Sequence, residues 1–180
     1  MTQRKTSQSQ REGNYKGGIQ AGTTAFDEKS KKLDKVLKQA RNELVEEGVP
    51  GFRCIKRMSP KQKVEYVGID TFGFEPDGGL WIRERDNQPV AAFEGKKQGI
   101  RGNACERWYK NAALARQMNP NVIYRTFLAG AGANPGKVLD KMATTARTLY
   151  GSNYDFHASP DGFTVEAVKE VMKDTLKGCK

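Results

Sequence analysis

The segment 88–111, QPVAAFEGKKQGIRGNACERWYKN, contains two different side-chain periods separated by a glycine-rich break. Residues 89–94 are rich in strand formers, and the period of two in a strand places Glu94 and Lys96 on the same face. After the glycines, residues 104–118 show the spacing of a helix that ends before Asn-Pro. A strand that leads into a helix is typical of an α/β layer, which we predict here.

The rest of the chain predicts further helices and strands around this segment. The earliest helix carries an apolar set at i, i+3, i+4, i+7 and i+11, and it ends at a Gly-Val-Pro break: Leu33, Val36, Leu37, Ala40 and Leu44. Other predicted elements are strands within 64–74, at 79–84, in 121–130 and near 154–157, and helices opened by 134–135 and over 165–176. We predict one domain over 25–180, with a central mixed β-sheet flanked by helices, after a disordered basic arm over 1–24.

Composition narrows the class of protein. Thirty-one Lys and Arg against 21 Asp and Glu give a net charge of +10, which favours a polyanionic partner such as nucleic acid over merely solvated lysines. No apolar run approaches the roughly 20 residues of a membrane span, so no membrane partner is expected. Three cysteines without paired or metal-like spacing indicate a reduced, cytoplasmic protein, and a single His157 argues against a histidine-based catalytic or metal site.

A pair of acids could form a metal-dependent hydrolytic site. A hairpin through 85–89 would bring Asp77, in the turn PDGG at 76–79, close to Glu94. The two carboxylates and the Gly95 carbonyl are hard oxygen ligands that suit Mg²⁺, and Lys96 could orient or deprotonate a water and offset transition-state charge. The alternative is the polar face of an ordinary strand beside a turn. Glu43 and Glu46 on the earliest helix are either further metal-shell acids or solvated side chains.

The helix after the break begins with a polar stripe. Asn103, Glu106, Arg107 and Lys110 stand at i, i+3, i+4 and i+7. Asn, Arg and Glu are side chains that read base edges in DNA. The alternative is an N-terminal capping box of Asn103 and Glu106 with solvated basic residues behind it. The sequence therefore places a candidate reading helix directly after a candidate cutting strand.

These motifs together resemble a known family. PDGG, EGKKQG and RGNACERWYKN, and the sixteen residues between Asp77 and Glu94, resemble the EcoRI- and MunI-type group of type II restriction endonucleases, within the PD-(D/E)XK nuclease superfamily. The likeness covers residues 75 to about 130 and implies a restriction-endonuclease-like PD-(D/E)XK core. Asp77 and Glu94 match the metal-binding acids, and Lys96 matches the catalytic lysine.

The same resemblance implies how DNA would be read. Asn103, Ala104, Glu106 and Arg107 match residues that read an inner AATT, and Arg101 matches an arginine that reads the outer base pair. The implied DNA-binding set is Arg101, Gly102, Asn103, Ala104, Glu106, Arg107 and Lys110. Such enzymes are homodimers that cut palindromic duplex DNA to 5′-phosphate ends with 5′ overhangs, while a cognate DNA methyltransferase protects the host. Arg101 favours CAATTG, with GAATTC and bare AATT open.

This chain departs from the family pattern in two places. The long insertion that some members carry between the ExK and GNA segments is absent, and outer-base arginines have no match after residue 150. The same residues are therefore also compatible with two other functions. One is a homing, phage or repair nuclease with different specificity, and the other is a DNA-binding module that has lost catalysis.

Overall fold

A computed structural model describes residues 24–70, 73–96, 103–129, 144–145, 147–148, 153–159 and 161–180. The helices are α1 (Thr24–Glu47), α2 (Pro60–Val67), α3 (Asn103–Met118) and α4 (Val165–Lys177). The strands are β1 (Phe52–Ile55), β2 (Leu80–Arg83), β3 (Gln88–Lys96), β4 (Ile123–Ala129) and β5 (Asn153–Ser159). The predicted arm over 1–24 lies outside this part of the chain except for Thr24, which already belongs to α1.

The strands form a single mixed sheet in the order β1-β2-β3-β4-β5. The pairs β1–β2 and β2–β3 are antiparallel, whereas β3–β4 and β4–β5 are parallel. β3 is the central strand, and its Glu94 and Lys96 stand opposite Thr126 and Leu128 of β4. The expectation of an α/β fold with a mixed sheet flanked by helices is therefore confirmed.

Helices cover both faces of the sheet. α1 and α4 pack on one face, and α2 and α3 pack on the other. Along β3, Ala91 and Phe93 enter the core beneath α1 and α4, while Ala92 enters the opposite core, as the period of two predicts. The apolar stripe expected for the earliest helix is buried against this sheet, through Leu33, Leu37, Ala40 and Leu44.

The strand predicted within 64–74 is wrong, because residues up to Val67 belong to the helix α2. The strand β1, which precedes this helix, was not predicted. The Ser59 hydroxyl accepts from the Gln62 N–H while the Gln62 side chain accepts from the Ser59 N–H, and Gly68 ends α2 in the left-handed region. These caps outweigh the strand propensity of the β-branched residues.

The remaining element predictions agree with the structure where it can be compared. Strands at 79–84, 89–94, 121–130 and 154–157 and helices at 104–118 and 165–176 correspond to β2, β3, β4, β5, α3 and α4. The helix expected to open at 134–135 lies outside the described residues, apart from helical backbone at 144–145 and 147–148. No helix in the described ranges is long and apolar enough to cross a membrane.

Two of the three cysteines belong to the described side chains, and both are free thiols. Cys54 and Cys179 are partly buried beside the core under α1 and α4. Burial raises the pKa of the Cys54 thiol to about 12 and also raises the pKa of Cys179. Because the thiolate is the reactive form, burial makes both thiols less reactive.

An ion-pair network joins α1 to α4. The Lys169 ammonium lies 2.9 Å from the Glu43 carboxylate and also contacts Glu47, which in turn lies 3.2 Å from Lys173. Hydrogen bonds from Lys169 are the largest cause of the lowered pKa of Glu43 and of Glu47. In turn, the bond to Glu47 is the largest cause of the raised pKa of Lys169. The network therefore links the partly exposed sides of the two helices, whose buried sides pack together in the core.

This network predicts a specific acid sensitivity. Because both carboxyl pKa values in the folded protein lie below the usual 4.5, their stabilisation is present above pH 4.5 and is lost as pH falls through the lowered values. In Lys169→Met, the free energy of unfolding should therefore fall less steeply on acidification than in the wild type. Urea unfolding from pH 7 to about pH 3 measures this, with Lys61→Met on the exposed side of α2 as control. Parallel curves for Lys169→Met and wild type would contradict the assignment.

Candidate active site

A tight turn precedes β2 and is bonded to the central strand. The Gly79 N–H donates to the Pro76 carbonyl at 2.8 Å, and Gly79 has a φ of 81°. The Gly78 N–H donates to the Phe93 carbonyl at 2.9 Å, and the Phe93 N–H donates to the Gly79 carbonyl at 3.3 Å. A Cβ on Gly79 would lie 2.3 Å from the Cys54 sulfur, so this position requires glycine for both its conformation and its space. The sequence PDGG therefore forms a rigid turn whose second residue is held against β3.

The turn brings the two predicted acids together. The Asp77 backbone N–H donates to Oε2 of Glu94 at 3.3 Å. Glu94 is 8% exposed, and the Asp77 side chain is 20% exposed. Asp77 Oδ2 lies 3.4 Å from the position that a Cβ on Gly95 would occupy, so the Asp77 carboxylate reaches the last residues of β3. The expectation that the hairpin places Asp77 close to Glu94 is confirmed.

The other predicted site residues are only partly described. Lys96 is the last residue of β3, and its side chain lies outside the described part of the structure. Arg101 and Gly102 lie outside it altogether. Four positions begin α3 with helical backbone, but their side chains are likewise not described: Asn103, Ala104, Glu106 and Arg107. Lys110 is exposed on α3.

Two basic residues of α1 that the sequence analysis did not single out contact Asp77. The Arg41 guanidinium donates through Nη1 to the Asp77 carbonyl oxygen at 3.0 Å. The Lys38 ammonium lies 3.7 Å from Asp77 Oδ1. Leu33 and Leu37 of the same helix lie near Gly95, so α1 packs along β3 on the side where the Asp77 carboxylate lies. No local sequence signal identifies these contacts, because they depend on how α1 crosses the sheet.

The glutamates considered as further metal-shell acids lie elsewhere. Glu43 pairs with Lys169 of α4, and Glu46 is exposed. Among the residues that the structure describes, no group of three or more His, Cys, Asp or Glu side chains is placed to hold a metal ion. The acidic oxygen donors at this turn are thus the carboxylates of Asp77 and Glu94. Carboxylate oxygens are ligands that Mg²⁺ binds in proteins, usually one or two of them together with several waters.

A cleft of about 610 Å³ lies at the opposite end of β3, around Gln88 and Val90. Its charged lining consists of Arg83, Arg125, Arg147 and Lys180. Arg83 donates to the Cys179 carbonyl at 2.8 Å and to Asp86, and Arg125 donates to the Thr175 hydroxyl at 2.5 Å. These two arginines connect the sheet to α4 and to the residues after it, which is a structural role. The acid pair is therefore the better candidate for chemistry.

No protein-family model, no curated protein and no solved structure matches this chain. The site is therefore described from its own residues and their contacts. The glycine turn brings the Asp77 backbone N–H into contact with the Glu94 carboxylate of the central strand, and Lys38 of α1 lies beside the Asp77 carboxylate, in a protein with a net charge of +10. The site therefore consists of two neighbouring acidic residues, one of them paired with a lysine of α1.

Proposed function

We propose that the protein is a Mg²⁺-dependent, sequence-specific type II restriction endonuclease built on a PD-(D/E)XK core. It would act as a cytoplasmic homodimer on double-stranded DNA and cut a palindrome with an AATT centre, with CAATTG favoured. The products would carry 5′-phosphate ends with 5′ overhangs. A cognate DNA methyltransferase would be its functional partner and would protect the host DNA.

One observation carries the proposal, namely the hydrogen bond from the Asp77 N–H to the Glu94 carboxylate. This bond joins the main chain of the turn to a side chain of β3 and brings the two acidic residues into contact. Here a glycine turn with two bonds to β3 holds Asp77 beside a buried glutamate, two residues before Lys96. A five-strand mixed sheet flanked by helices is also compatible with the proposed core.

The proposed chemistry divides between the acids and the lysine. Glu94, Asp77 and the Gly95 carbonyl would hold Mg²⁺, and a bound Mg²⁺ would supply the Lewis acid that polarises the scissile phosphate. Lys96 would orient the attacking water and offset the charge that develops on the phosphate oxygens. Because Glu94 is 8% exposed, its carboxylate is largely shielded from solvent, which strengthens its interaction with a bound cation.

Recognition would come from the start of α3. This helix begins at Asn103, seven residues after β3 ends at Lys96, so the cutting strand and the proposed reading helix are joined by a short connection. Asn, Glu and Arg side chains offer the donors and acceptors that distinguish base edges in the major groove. Asn111 and Gln117 anchor the later turns of α3 through bonds to Tyr124 of β4 and to the Val67 carbonyl of α2.

The direct test uses the purified protein on long duplex DNA with Mg²⁺, followed by sequencing of the fragment ends. Ends that share an AATT-centred palindrome with a 5′ overhang would support the proposal and identify the outer base pair. Ends without a common sequence would favour a homing, phage or repair nuclease. The absence of cleavage in Mg²⁺, with DNA binding retained, would favour a binding module.

A substitution in α3 tests the reading helix. Arg107→Ala should weaken binding to the cut site by about five- to 150-fold, since a good base contact is worth about 1–3 kcal/mol, while binding to unrelated duplex changes little. Binding is measured in Ca²⁺, so that cleavage does not interfere. Arg116→Ala, in the exposed last turn of the same helix, removes the same charge and is the matched control. If Arg107→Ala kept wild-type affinity and cut the same sites, α3 would not be the reader.

A further inference from the structure

α1 presents two cations to the same acid, one turn apart. Arg41 donates to the main-chain oxygen of Asp77, and Lys38 faces its carboxylate. Residues three apart on a helix are neighbours on its surface, so the pair acts from one stripe of α1. The backbone and the side chain of Asp77 are thus each contacted by a different residue of the helix.

The two contacts differ in how firmly they are held. The Arg41 guanidinium is fixed by its bond to Asp77 and by two bonds to Asn42, and its stem lies close to Gly79. The Lys38 ammonium is 3.7 Å from Asp77 Oδ1, and its side chain is 54% exposed. A charge at this distance, on a flexible four-carbon stem, is held by electrostatic attraction and can move at low cost.

We propose that Lys38 is a second lysine of the acid site, which pairs with Asp77 before a divalent cation binds and contacts a phosphate of the DNA afterwards. The inference rests on the proposed nuclease function. A divalent cation held by Asp77 repels the nearby ammonium and replaces it as the partner of the carboxylate. A DNA phosphate bound beside Asp77 then becomes the new anionic partner of Lys38, because the flexible side chain of the lysine can move its ammonium group to the phosphate.

Metal affinity of the full-length protein tests the first half of the proposal without any cleavage. Mn²⁺ titration followed by electron paramagnetic resonance compares wild type with Lys38→Ala, with Lys35→Ala and with Asp77→Asn. Lys38→Ala should bind Mn²⁺ about two- to fivefold more tightly, because a competing cation of an exposed ion pair is removed. Lys35 is an exposed lysine one turn earlier on α1, and Lys35→Ala should change the affinity by less than about 1.5-fold.

DNA binding tests the second half. A duplex of about 30 base pairs that carries CAATTG is titrated in Ca²⁺ at increasing salt, and the slope of log affinity against log salt should fall by about 1 in Lys38→Ala. Lys35→Ala should keep the wild-type slope. The two expected effects of Lys38→Ala have opposite signs, tighter metal binding and weaker DNA binding, which a general loss of folding would not produce.

The outcomes separate the inference from the proposed function. If wild type binds Mn²⁺ no better than Asp77→Asn, the metal-dependent function itself is wrong. Two results would overturn the pairing of Lys38 with Asp77 in solution, provided that wild type binds Mn²⁺. One is that Lys38→Ala binds Mn²⁺ no more tightly than wild type, and the other is that Lys35→Ala increases the Mn²⁺ affinity as much as Lys38→Ala does. An unchanged salt slope in Lys38→Ala overturns the phosphate contact.

Discussion

Glu94→Gln is expected to abolish Mg²⁺-dependent cleavage while DNA binding persists. The substitution keeps the size of a side chain that is 8% exposed and keeps an oxygen that can accept from the Asp77 N–H. It removes the negative charge that would hold the metal. Since a catalytic metal contributes several kcal/mol and each 1.4 kcal/mol is about tenfold in rate, cleavage should fall by at least about a thousandfold. Asp77→Asn should have a similar effect. The measurement is the single-turnover cleavage rate with enzyme in excess.

The control for Glu94→Gln is a glutamate of the same hairpin. Glu84 follows β2 and is exposed, so Glu84→Gln removes one negative charge without touching the acid pair. It should cut at the wild-type rate. Retained cleavage by Glu94→Gln in Mg²⁺ would refute the assignment of the acid pair. Loss of DNA binding along with cleavage would indicate damage to the fold, and thermal unfolding of the variant distinguishes this from a catalytic defect.

The layered architecture could be predicted because the apolar residues of most elements recur with the period of a helix or of a strand. The helical spacing of α1 puts Leu33 and Leu37 on its buried face, and successive side chains of β3 enter the cores on opposite faces of the sheet. α2 could not be predicted from residue propensity, since Val64, Tyr66 and Val67 favour strands. The Ser59–Gln62 capping box was the available signal, and it begins with a favourable Ser-Pro pair. Start and stop signals are therefore better guides than propensity for short helices.

The acid pair was predictable for a different reason. A glycine turn and a hairpin fix the separation of Asp77 and Glu94 through local geometry, so sequence spacing carries the information. The contacts from α1 are not local, because 36 residues separate Arg41 from Asp77. They depend on the angle at which α1 crosses the sheet, which is set by core packing. The same packing directs Glu43 to α4 and away from the acid pair.

The two adjacent glycines of the turn have separate structural tasks. Gly79 adopts a left-handed conformation, whereas Gly78 does not. Gly78 is required for space, since a Cβ there would lie 2.6 Å from both the Phe93 Cβ and the Met172 Cε. Met172 can shift its methyl group, but the Cβ of a central-strand residue cannot move without the strand. Gly78 therefore sets how closely the turn, and with it Asp77, approaches β3.

Gly78→Ala is accordingly expected to damage both stability and catalysis. Relief of the contact with Phe93 must push the turn away from β3 and stretch the 2.9 Å bond from the Gly78 N–H to the Phe93 carbonyl. Overpacking of this kind destabilises by about 1–3 kcal/mol. A shift of about 1 Å in Asp77 relative to Glu94 should lower the cleavage rate by about a hundredfold. Urea unfolding and cleavage rates, both measured where the variant is fully folded, give the two effects separately.

Gly178→Ala provides the matched control for this substitution. Gly178 follows α4 with a φ of −69°, and a Cβ there would meet its nearest atom at 3.4 Å. Its free energy of unfolding should change by no more than about 0.5 kcal/mol, and its cleavage rate should not change. If Gly78→Ala behaved like Gly178→Ala in both measurements, the turn would not be held against β3 as the structure shows. A variant that lost stability but cut at the wild-type rate would show instead that the spacing between the acids does not control the chemistry.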